Sequence, residues 1–215
     1  MKRVAYFGGS FDPPHRGHLA IADRLIRLFG LDRFVFIPAF HAPHKPDQKP
    51  TPAIHRYAML AIATNDNPLH RISTIEIDLP QRPYTVETLA RILKDRPDER
   101  AFFVMGGDSW QDITTWREWE RVLTMTDHIV VTRPGYPIGL AHVTPEIRGR
   151  IVDIRGKNSP EVPEDSGPKI YITDAVSVNI SATAIRDLAS QKGEGWDTGL
   201  TKEVAKYVEK YELYK

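Results

Sequence analysis

The sequence predicts a three-layer α/β fold, in which a mostly parallel sheet lies between two layers of helices. Short apolar runs of strand length alternate along the chain with longer patterns of helical period. Several of the strand runs are apolar at almost every position, which is typical of strands buried on both faces. At 215 residues the chain is long enough for one domain around one sizeable core.

The predicted strands cover residues 4–7, 34–37, 72–77, 102–105, 129–132, 151–154 and 170–173. The predicted helices cover residues 17–29, 52–64, 85–94, 116–123, 182–189 and 200–211. Two stretches rich in proline or glycine, 38–50 and 156–168, interrupt the alternation, and we expect both to be loops. Strand patterns resume after each loop, so we expect a single domain over residues 1–215, with helices from about residue 181 closing over the strand ends.

Composition excludes several classes of partner and chemistry. The chain carries 29 basic and 28 acidic residues, a net charge of +1, so we expect it to bind neither nucleic acid nor membranes. The absence of cysteine excludes disulfides, thiolate catalysis and cysteine zinc sites. The apolar stretch near the N-terminus is too short for a signal peptide, and no apolar run approaches a membrane span. We therefore expect a cytoplasmic protein whose anionic ligands are small.

The most informative segment is Phe-Gly-Gly-Ser-Phe-Asp-Pro-Pro-His-Arg-Gly-His at residues 7–18, between an apolar strand run and a helical pattern. Gly8 and Gly9 allow a sharp turn and a close approach of the backbone to a ligand. Ligands of open α/β sheets bind at the C-terminal ends of strands, and a helix N-terminus there favours anions. His15 and His18 share a face of that helix start. Each can donate to phosphate, and can hold a proton if a polyphosphate raises its pKa.

Simpler explanations of the two histidines are an ordinary hydrogen-bonded role or a metal pair. A third ligand at a spacing such as that of His-Glu-x-x-His is missing, which argues against the metal pair. The glycine-rich context favours phosphate binding. Neither Gly-x-Gly-x-x-Gly nor the Gly-x-x-x-x-Gly-Lys-Ser/Thr pattern occurs, which argues against a dinucleotide dehydrogenase or a P-loop protein.

A matching strand-to-helix segment, Asn-Ile-Ser-Ala-Thr-Ala-Ile-Arg, occupies residues 179–186. Ser181 is a good N-cap, and helix capping alone would account for it. Thr183 and Arg186, however, lie three residues apart on one face of the predicted helix. A hydroxyl, a guanidinium and the N–H groups of a helix start form a clamp for phosphate. Together the two segments predict a nucleotidyltransferase.

The two segments resemble the motifs of the HIGH-type nucleotidyltransferases, a superfamily of Rossmann-like adenylyl- and cytidylyltransferases. Further segments narrow the resemblance: Pro-His-Lys at 43–45, Pro-Tyr-Thr-Val-Glu-Thr-Leu at 83–89, Met-Gly-Gly-Asp-Ser at 105–109 with Trp116, and Thr-Arg-Pro-Gly at 132–135. In this order they are similar to the bacterial nicotinate mononucleotide adenylyltransferases, from residue 3 to about 214. The resemblance implies a Rossmann-like αβα sandwich. It also implies adenylyl transfer from ATP, with Mg²⁺, to nicotinate mononucleotide, giving deamido-NAD and pyrophosphate.

The resemblance also implies a role for each matching residue. The expected catalytic residues are His15, His18 and Arg186. The residues expected to bind ATP are Gly8, Gly9, Ser10, Phe11, His15, His18, Lys45, Gly106, Asp108, Arg133, Ile180, Ser181, Thr183 and Arg186. The residues expected to bind the acceptor nucleotide are Ser10, His44, Lys45, Tyr84, Thr85, Asp108, Trp116 and Arg117. In this scheme Asp108 meets a ribose hydroxyl, and Thr85 and Trp116 bracket the nicotinate ring.

Several of these residues also have ordinary structural explanations. Trp110, Trp116 and Trp119 stand at helical spacings, where tryptophan is more often a core residue, and we expect Trp119 in the core. Thr85 equally fits a helix N-cap, and Asp108 a turn.

The chain departs from the family's usual residues at three positions: Ala182 in place of a serine, Gly107 in place of an alanine and Arg117 in place of an aromatic residue. The last touches the predicted nicotinate pocket. Two other functions remain open. One is transfer to another acceptor, nicotinamide mononucleotide or pantetheine phosphate. The other is a non-catalytic module that senses a nucleotide.

Overall fold

In the computed structural model every strand of the central sheet runs parallel to its neighbours. The structure describes residues 1–40, 50–132, 137–157, 161–163, 167–176 and 180–215. In these ranges the strands are β1 (Lys2–Gly9), β2 (Arg33–Pro38), β3 (His70–Ile72), β4 (Glu99–Gly106), β5 (Asp127–Val131), β6 (Ile151–Asp153) and β7 (Ile170–Thr173). Their spatial order is β3-β2-β1-β4-β5-β7-β6. This arrangement confirms the predicted Rossmann-like α/β class.

Helices connect most of these strands. They are α1 (Arg16–Phe29), α2 (Ala53–Thr64), α3 (Thr85–Asp95), α4 (Gly107–Gln111), α5 (Trp119–Met125), α6 (Pro145–Arg148), α7 (Ala182–Ser190) and α8 (Lys202–Lys210), with a 3₁₀ turn at Ile113–Thr115. α1 ends at Gly30, which adopts the left-handed conformation that a helix C-terminus favours, with φ 59°. No helix in the described part of the chain is long and apolar enough to cross a membrane.

Side chains alternate between the two faces of the sheet and build a separate hydrophobic cluster on each. Val4 and Tyr6 belong to the cluster under α3 and α5, whereas Ala5, between them, belongs to the cluster under α1. A third cluster joins α2 to α7 and α8 through residues such as Met59, Ile185 and Val204. The alternation produces the three predicted layers.

Two predicted elements differ from the structure. The predicted strand 72–77 is strand only up to Ile72, and the chain then turns, with the Asp78 N–H donating to the Thr74 carbonyl at 3.0 Å. The apolar residue Ile75 in this turn packs against a core cluster, so its hydrophobicity reflects burial and not a strand. The predicted helix 116–123 begins only at Trp119, because Glu118 has a left-handed backbone with φ 50°.

The chain reverses its direction of travel across the sheet next to β1. It builds β2 and β3 on one side of β1 and then crosses to the other side to form β4. In an open α/β sheet the loops leaving two such strands diverge and open a crevice at their C-terminal ends. The loop after β1 carries the first motif, and β4 leads directly into Gly107 and Asp108. The topology therefore brings the two glycine-containing segments to one crevice.

Candidate active site

The loop that follows β1 has little freedom in its residue types. A Cβ atom on Gly9 would lie 3.0 Å from the Phe11 ring, so this close approach favours glycine. Phe11 has a left-handed backbone, with φ 48°, and its buried ring meets the His18 ring edge-on at 5.0 Å. The buried guanidinium of Arg56 donates to the Ser10 carbonyl at 2.8 Å and fixes the loop from the other side. These contacts hold the motif in place as one wall of the crevice.

Two cavities open at this edge of the sheet, and both are lined by His18. The larger has a volume of about 740 Å³ and the smaller of about 480 Å³. The predicted site residues that line the larger are Gly8, Gly9, Ser10, Phe11, His18, Tyr84, Thr85, Trp116, Arg117, Thr183 and Arg186. Those that line the smaller are His15, His18, Gly106, Asp108 and Ile180. The predicted site residues that line a cavity thus form two groups, and the imidazole of His18 belongs to both.

The two histidines contact each other at the start of α1. Their rings stack with centroids 3.6 Å apart and 22° between the planes. The His15 backbone N–H donates to Nδ1 of His18 at 3.2 Å. Because Nδ1 accepts this bond, a neutral His18 carries its proton on Nε2 and has that N–H to donate. His18 is therefore oriented as a hydrogen-bond donor where the two cavities meet.

Burial keeps both imidazoles uncharged at neutral pH. Desolvation lowers the pKa of His15 to about 4. It also lowers the pKa of His18 well below its usual range, and the neighbouring His15 acts in the same direction. A polyphosphate bound here would raise both pKa values, because its negative charge favours the imidazolium form. The sequence suggests that these histidines can carry a proton, and the lowered pKa values mean that they do so only when a polyphosphate is bound.

The start of α7 lies against the loop after β1. The Ser181 hydroxyl accepts the Ala184 N–H at 3.4 Å, which confirms the predicted N-cap. Nη1 of Arg186 donates to the Asp12 carbonyl at 2.7 Å, and Nη2 donates to the Thr183 hydroxyl at 3.3 Å. Thr183 and Arg186 thus meet on one face, as predicted, and both line the larger cavity. Ser181 lines neither cavity, so its observed contribution is the cap.

The opposite wall of the larger cavity contains the start of α3. Tyr84 is its N-cap and Thr85 its first residue, so the alternative of Thr85 as N-cap is wrong. The Arg117 guanidinium lies over the Tyr84 ring, 4.6 Å from its centroid. Trp116 stands edge-on to Phe103 at 6.5 Å. Its Nε1 is buried and has no hydrogen-bond partner within the described ranges, so the residue lines the cavity while its indole N–H is closed to solvent.

Trp110 and Trp119, the other two tryptophans near this segment, both pack against the core. Trp110 is fully buried and donates from Nε1 to the Gly139 carbonyl at 2.9 Å. Trp119, expected in the core, is half-buried and packs against the cluster under α3 and α5. Neither lines either cavity.

Sequence reasoning gave no role to several polar residues that the structure places at the larger cavity. Glu76 accepts the Thr88 hydroxyl at 2.9 Å, and desolvation raises the pKa of its carboxyl. It stands in the segment predicted as a strand, where a lone glutamate looks like an ordinary exposed position. Arg82 and Tyr214 also line the cavity, and neither belongs to a recognisable motif. Asp12 lies inside the first motif, but nothing in the neighbouring sequence predicts which residues its side chain contacts.

Three predicted site residues, His44, Lys45 and Arg133, lie outside the described residues, as do most of the loop 38–50 and part of the loop 156–168.

Comparison with known proteins gives concordant results. The chain matches the cytidylyltransferase-like family over residues 6–188. It is 36% identical over 218 residues to a probable nicotinate-nucleotide adenylyltransferase of Citrifermentans bemidjiense, covering 99% of this chain and 98% of that one. It is 33% identical over 213 residues to the protein of the same name from Corynebacterium glutamicum, covering 99% and 88%.

A solved structure shares the fold. It is the Plasmodium falciparum nicotinic acid mononucleotide adenylyltransferase complexed with NaAD, with a TM-score of 0.74 and 19% sequence identity. The alignment covers 100% of this chain and 98% of that one.

Proposed function

The chain belongs to the cytidylyltransferase-like family and, within it, to the nicotinate-nucleotide adenylyltransferases, and we propose that it transfers the adenylyl group of ATP to nicotinate mononucleotide. A 5′-phosphate oxygen of the mononucleotide attacks the α-phosphorus of ATP. The bond from that phosphorus to the bridging oxygen breaks, and pyrophosphate leaves. The products are nicotinate adenine dinucleotide and pyrophosphate. The observation that carries this proposal is that His18 lines both cavities. Two nucleotides, one in each cavity, would therefore have their reacting phosphates beside the same imidazole.

In this proposal the pyridine nucleotide occupies the larger cavity and the adenosine of ATP the smaller. Trp116 supplies an aromatic face in the larger cavity. Asp108, at the start of α4, faces the smaller cavity and is suited to accept from a ribose hydroxyl. Gly106 and Ile180 belong to the same wall. The phosphates then lie between the cavities, beside His18.

The protein has no covalent step to perform, so its contribution is positioning and charge neutralisation. His18 donates from Nε2 to a phosphate oxygen and stabilises the charge that develops as pyrophosphate leaves. Arg186 and Thr183 bind the departing phosphates from the start of α7. His15 supports His18 through their stacked rings and the hydrogen bond to Nδ1. We keep Lys45, Arg133 and His44 in the roles that the sequence predicts.

We propose that Mg²⁺ enters bound to ATP. No group of three or more histidine, aspartate or glutamate side chains suited to a metal occurs in the part of the chain that the structure describes. The carboxylate of Asp12 already accepts two hydrogen bonds, from the Thr51 N–H and the Tyr214 hydroxyl. Mg²⁺ commonly keeps phosphate oxygens and water as its ligands, so it can bind with ATP and without a cluster of protein carboxylates. Bound there, the ion supplies further charge neutralisation.

The start of α3 favours a carboxylate on the pyridine ring over an amide. The first N–H groups of a helix point outward without intrahelical acceptors, and their partial positive charge attracts an anion. Thr85 offers such a group at the cavity wall, and Arg117 adds a full charge beside it. We expect nicotinate mononucleotide to be preferred over nicotinamide mononucleotide by at least about tenfold in kcat/KM.

The remaining parts of the proposal concern the setting of the enzyme. We propose that it works in the cytoplasm on small-molecule substrates, as one domain over residues 1–215. The near-zero net charge supports small-molecule substrates over nucleic acid. The cluster that joins α2 to α7 and α8 supports a single domain.

Pyrophosphate release from ATP tests the function. Nicotinate mononucleotide, nicotinamide mononucleotide and pantetheine phosphate are each supplied as acceptor, and the first is expected to give the fastest release. Release with pantetheine phosphate alone would assign a different transferase, and ATP binding without release from any acceptor would assign a sensor.

The role of His18 is tested in the same assay. His18→Ala is expected to lower turnover by about 10²–10³, the usual cost of one donor to a developing charge. The matched control is His55→Ala, since His55 lies away from both cavities against Tyr207. Near-normal turnover of a folded His18→Ala variant would contradict the mechanism.

A further inference from the structure

Asp12 is the point at which separate segments of the chain meet beside the larger cavity. Its side chain is 5% exposed, and both carboxylate oxygens accept hydrogen bonds. Oδ1 accepts the Tyr214 hydroxyl at 2.7 Å, and Oδ2 accepts the Thr51 backbone N–H at 3.0 Å. Its backbone carbonyl accepts Nη1 of Arg186 at 2.7 Å. The loop after β1, the approach to α2, the helix α7 and the segment after α8 are thereby joined at one residue.

Tyr214 reaches this point from the segment that follows α8, where it also packs against the third hydrophobic cluster. It lies four residues beyond the end of α8, and its backbone has the left-handed conformation, with φ 67°. Such a conformation is uncommon for a residue with a side chain and persists only where surrounding contacts favour it. Burial and the adjacent Asp12 carboxylate raise the pKa of Tyr214, so its hydroxyl remains a donor at working pH.

The contacts of Asp12 determine where the Arg186 guanidinium points. Nη1 of Arg186 is directed to the Asp12 carbonyl, and Nη2 to the Thr183 hydroxyl. The Asp12 carbonyl can hold Nη1 only if residue 12 itself stays in place. Two hydrogen bonds to its carboxylate provide that restraint, and the one from Tyr214 is a hydroxyl–carboxylate bond, a strong class of hydrogen bond.

We propose that Tyr214 is a positioning residue that acts through Asp12 to hold the Arg186 guanidinium in the orientation that binds the phosphates of ATP. The inference rests on the proposed adenylyl transfer. It adds a residue that the motifs do not contain. The hydroxyl is the active part of Tyr214, because the ring alone makes no bond to the carboxylate.

The alternative is that Tyr214 merely anchors its segment to the protein surface. An anchor affects stability and acts equally on both substrates, and its effect is the same whichever residue stands at position 186. A positioning residue affects ATP more than the acceptor. Its effect also disappears once the guanidinium that it positions is gone, because coupled residues are not additive. The two explanations therefore differ in a double-mutant cycle.

The test compares Tyr214→Phe with Tyr211→Phe, the same loss of a hydroxyl at an exposed tyrosine three residues earlier. Each is also combined with Arg186→Lys, which keeps the charge but loses the planar fork. Thermal melting and steady-state kinetics with ATP and nicotinate mononucleotide are measured for all variants. Tyr214→Phe is expected to lower kcat/KM for ATP about tenfold and to change KM for nicotinate mononucleotide less than about twofold. Tyr211→Phe is expected to match the wild type.

In the Arg186→Lys background, Tyr214→Phe is expected to cost less than about twofold. An equal loss in both backgrounds, or a loss that follows only a lower Tm, would overturn the positioning role. So would unchanged kinetics for Tyr214→Phe, or a larger change in KM for nicotinate mononucleotide than for ATP, because Tyr214 lines the larger cavity and would then contact the acceptor directly.

The proposed function can fail separately. If the wild-type protein forms no dinucleotide, equilibrium titration with MgATP replaces the kinetics. The positioning role then predicts weaker binding in Tyr214→Phe but not in Tyr211→Phe, and equal binding in the two would overturn it.

Discussion

Replacing Arg56 by methionine is expected to loosen three segments of the active-site crevice at once. Arg56 is 1% exposed and donates to three backbone carbonyls: Ser10 at 2.8 Å, Thr51 at 2.9 Å and Phe40 at 3.3 Å. These carbonyls belong to the loop after β1, the approach to α2 and the start of the loop leaving β2. Methionine retains much of the aliphatic packing but none of the donors.

The magnitude follows from the bonds that are lost. A buried acceptor left without its partner costs about 1–3 kcal/mol. Ser10, Phe40 and Thr51 are only half-buried, so water can replace part of what Arg56 supplied. The nearby carboxylates of Asp12 and Glu76 also lose a neighbouring cation. We therefore expect Arg56→Met to lower the free energy of unfolding by about 2–4 kcal/mol.

The matched control is Arg71→Met. Arg71 is exposed and also donates to two carbonyls, those of Pro68 and His70 at 2.6 and 2.7 Å. Its loss is expected to change stability by no more than about 0.5 kcal/mol, because water satisfies the same groups. Urea denaturation gives both free energies, and pyrophosphate release gives kcat/KM, which we expect to fall at least about tenfold in Arg56→Met alone. Equal losses of stability in the two variants, or full activity in Arg56→Met, would refute the reasoning.

Other substitutions test the loop, the phosphate clamp and a buried imidazole. Gly9→Ala is expected to cost about 1–3 kcal/mol of stability, because its Cβ would lie 3.0 Å from an aromatic ring. Gly107→Ala, whose Cβ would meet nothing closer than 3.8 Å, is expected to be neutral or slightly stabilising in urea denaturation. Ala182→Ser is expected to change kcat/KM for ATP less than about tenfold, whereas Arg186→Ala is expected to lower it far more. Burial lowers the pKa of His128 to about 4, so the unfolded chain binds its proton first as pH falls below 6.5, and stability is lost between pH 6.5 and 4. The free energy of unfolding is therefore expected to fall by about 2 kcal/mol less in His128→Asn than in the wild type when the pH is lowered from 7 to 5.

Each of these expectations has a contrary result. Equal stabilities of the two glycine variants would mean that the loop can move away from the added methyl group. Indifference to Arg186→Ala would place the phosphates elsewhere. An unchanged pH profile in His128→Asn would mean that the imidazole is hydrated in the folded protein.

Local features of the sequence predicted where α3 and α7 begin, but they did not predict α4, the short helix that carries Asp108. Ser181 caps α7 as expected, and α3 starts at Thr85, because capping depends on a few adjacent residues. The apolar runs predicted the parallel sheet for the same reason, since burial on both faces leaves a local pattern. The segment 72–77 shows where this reasoning fails. Its apolar residues are buried in a turn, and hydrophobicity alone does not distinguish a buried turn from a strand.

The amino-acid sequence by itself determined the fold class, the two strand-to-helix motifs and the family, because each depends on residues close together in the chain. Only the tertiary structure decided which residues support those motifs. Asp12 is 174 residues from Arg186 and 202 from Tyr214, and no periodicity or spacing relates positions so far apart. The lowered pKa values of His15 and His18 likewise arise from desolvation, which the whole fold produces and which a single segment does not contain.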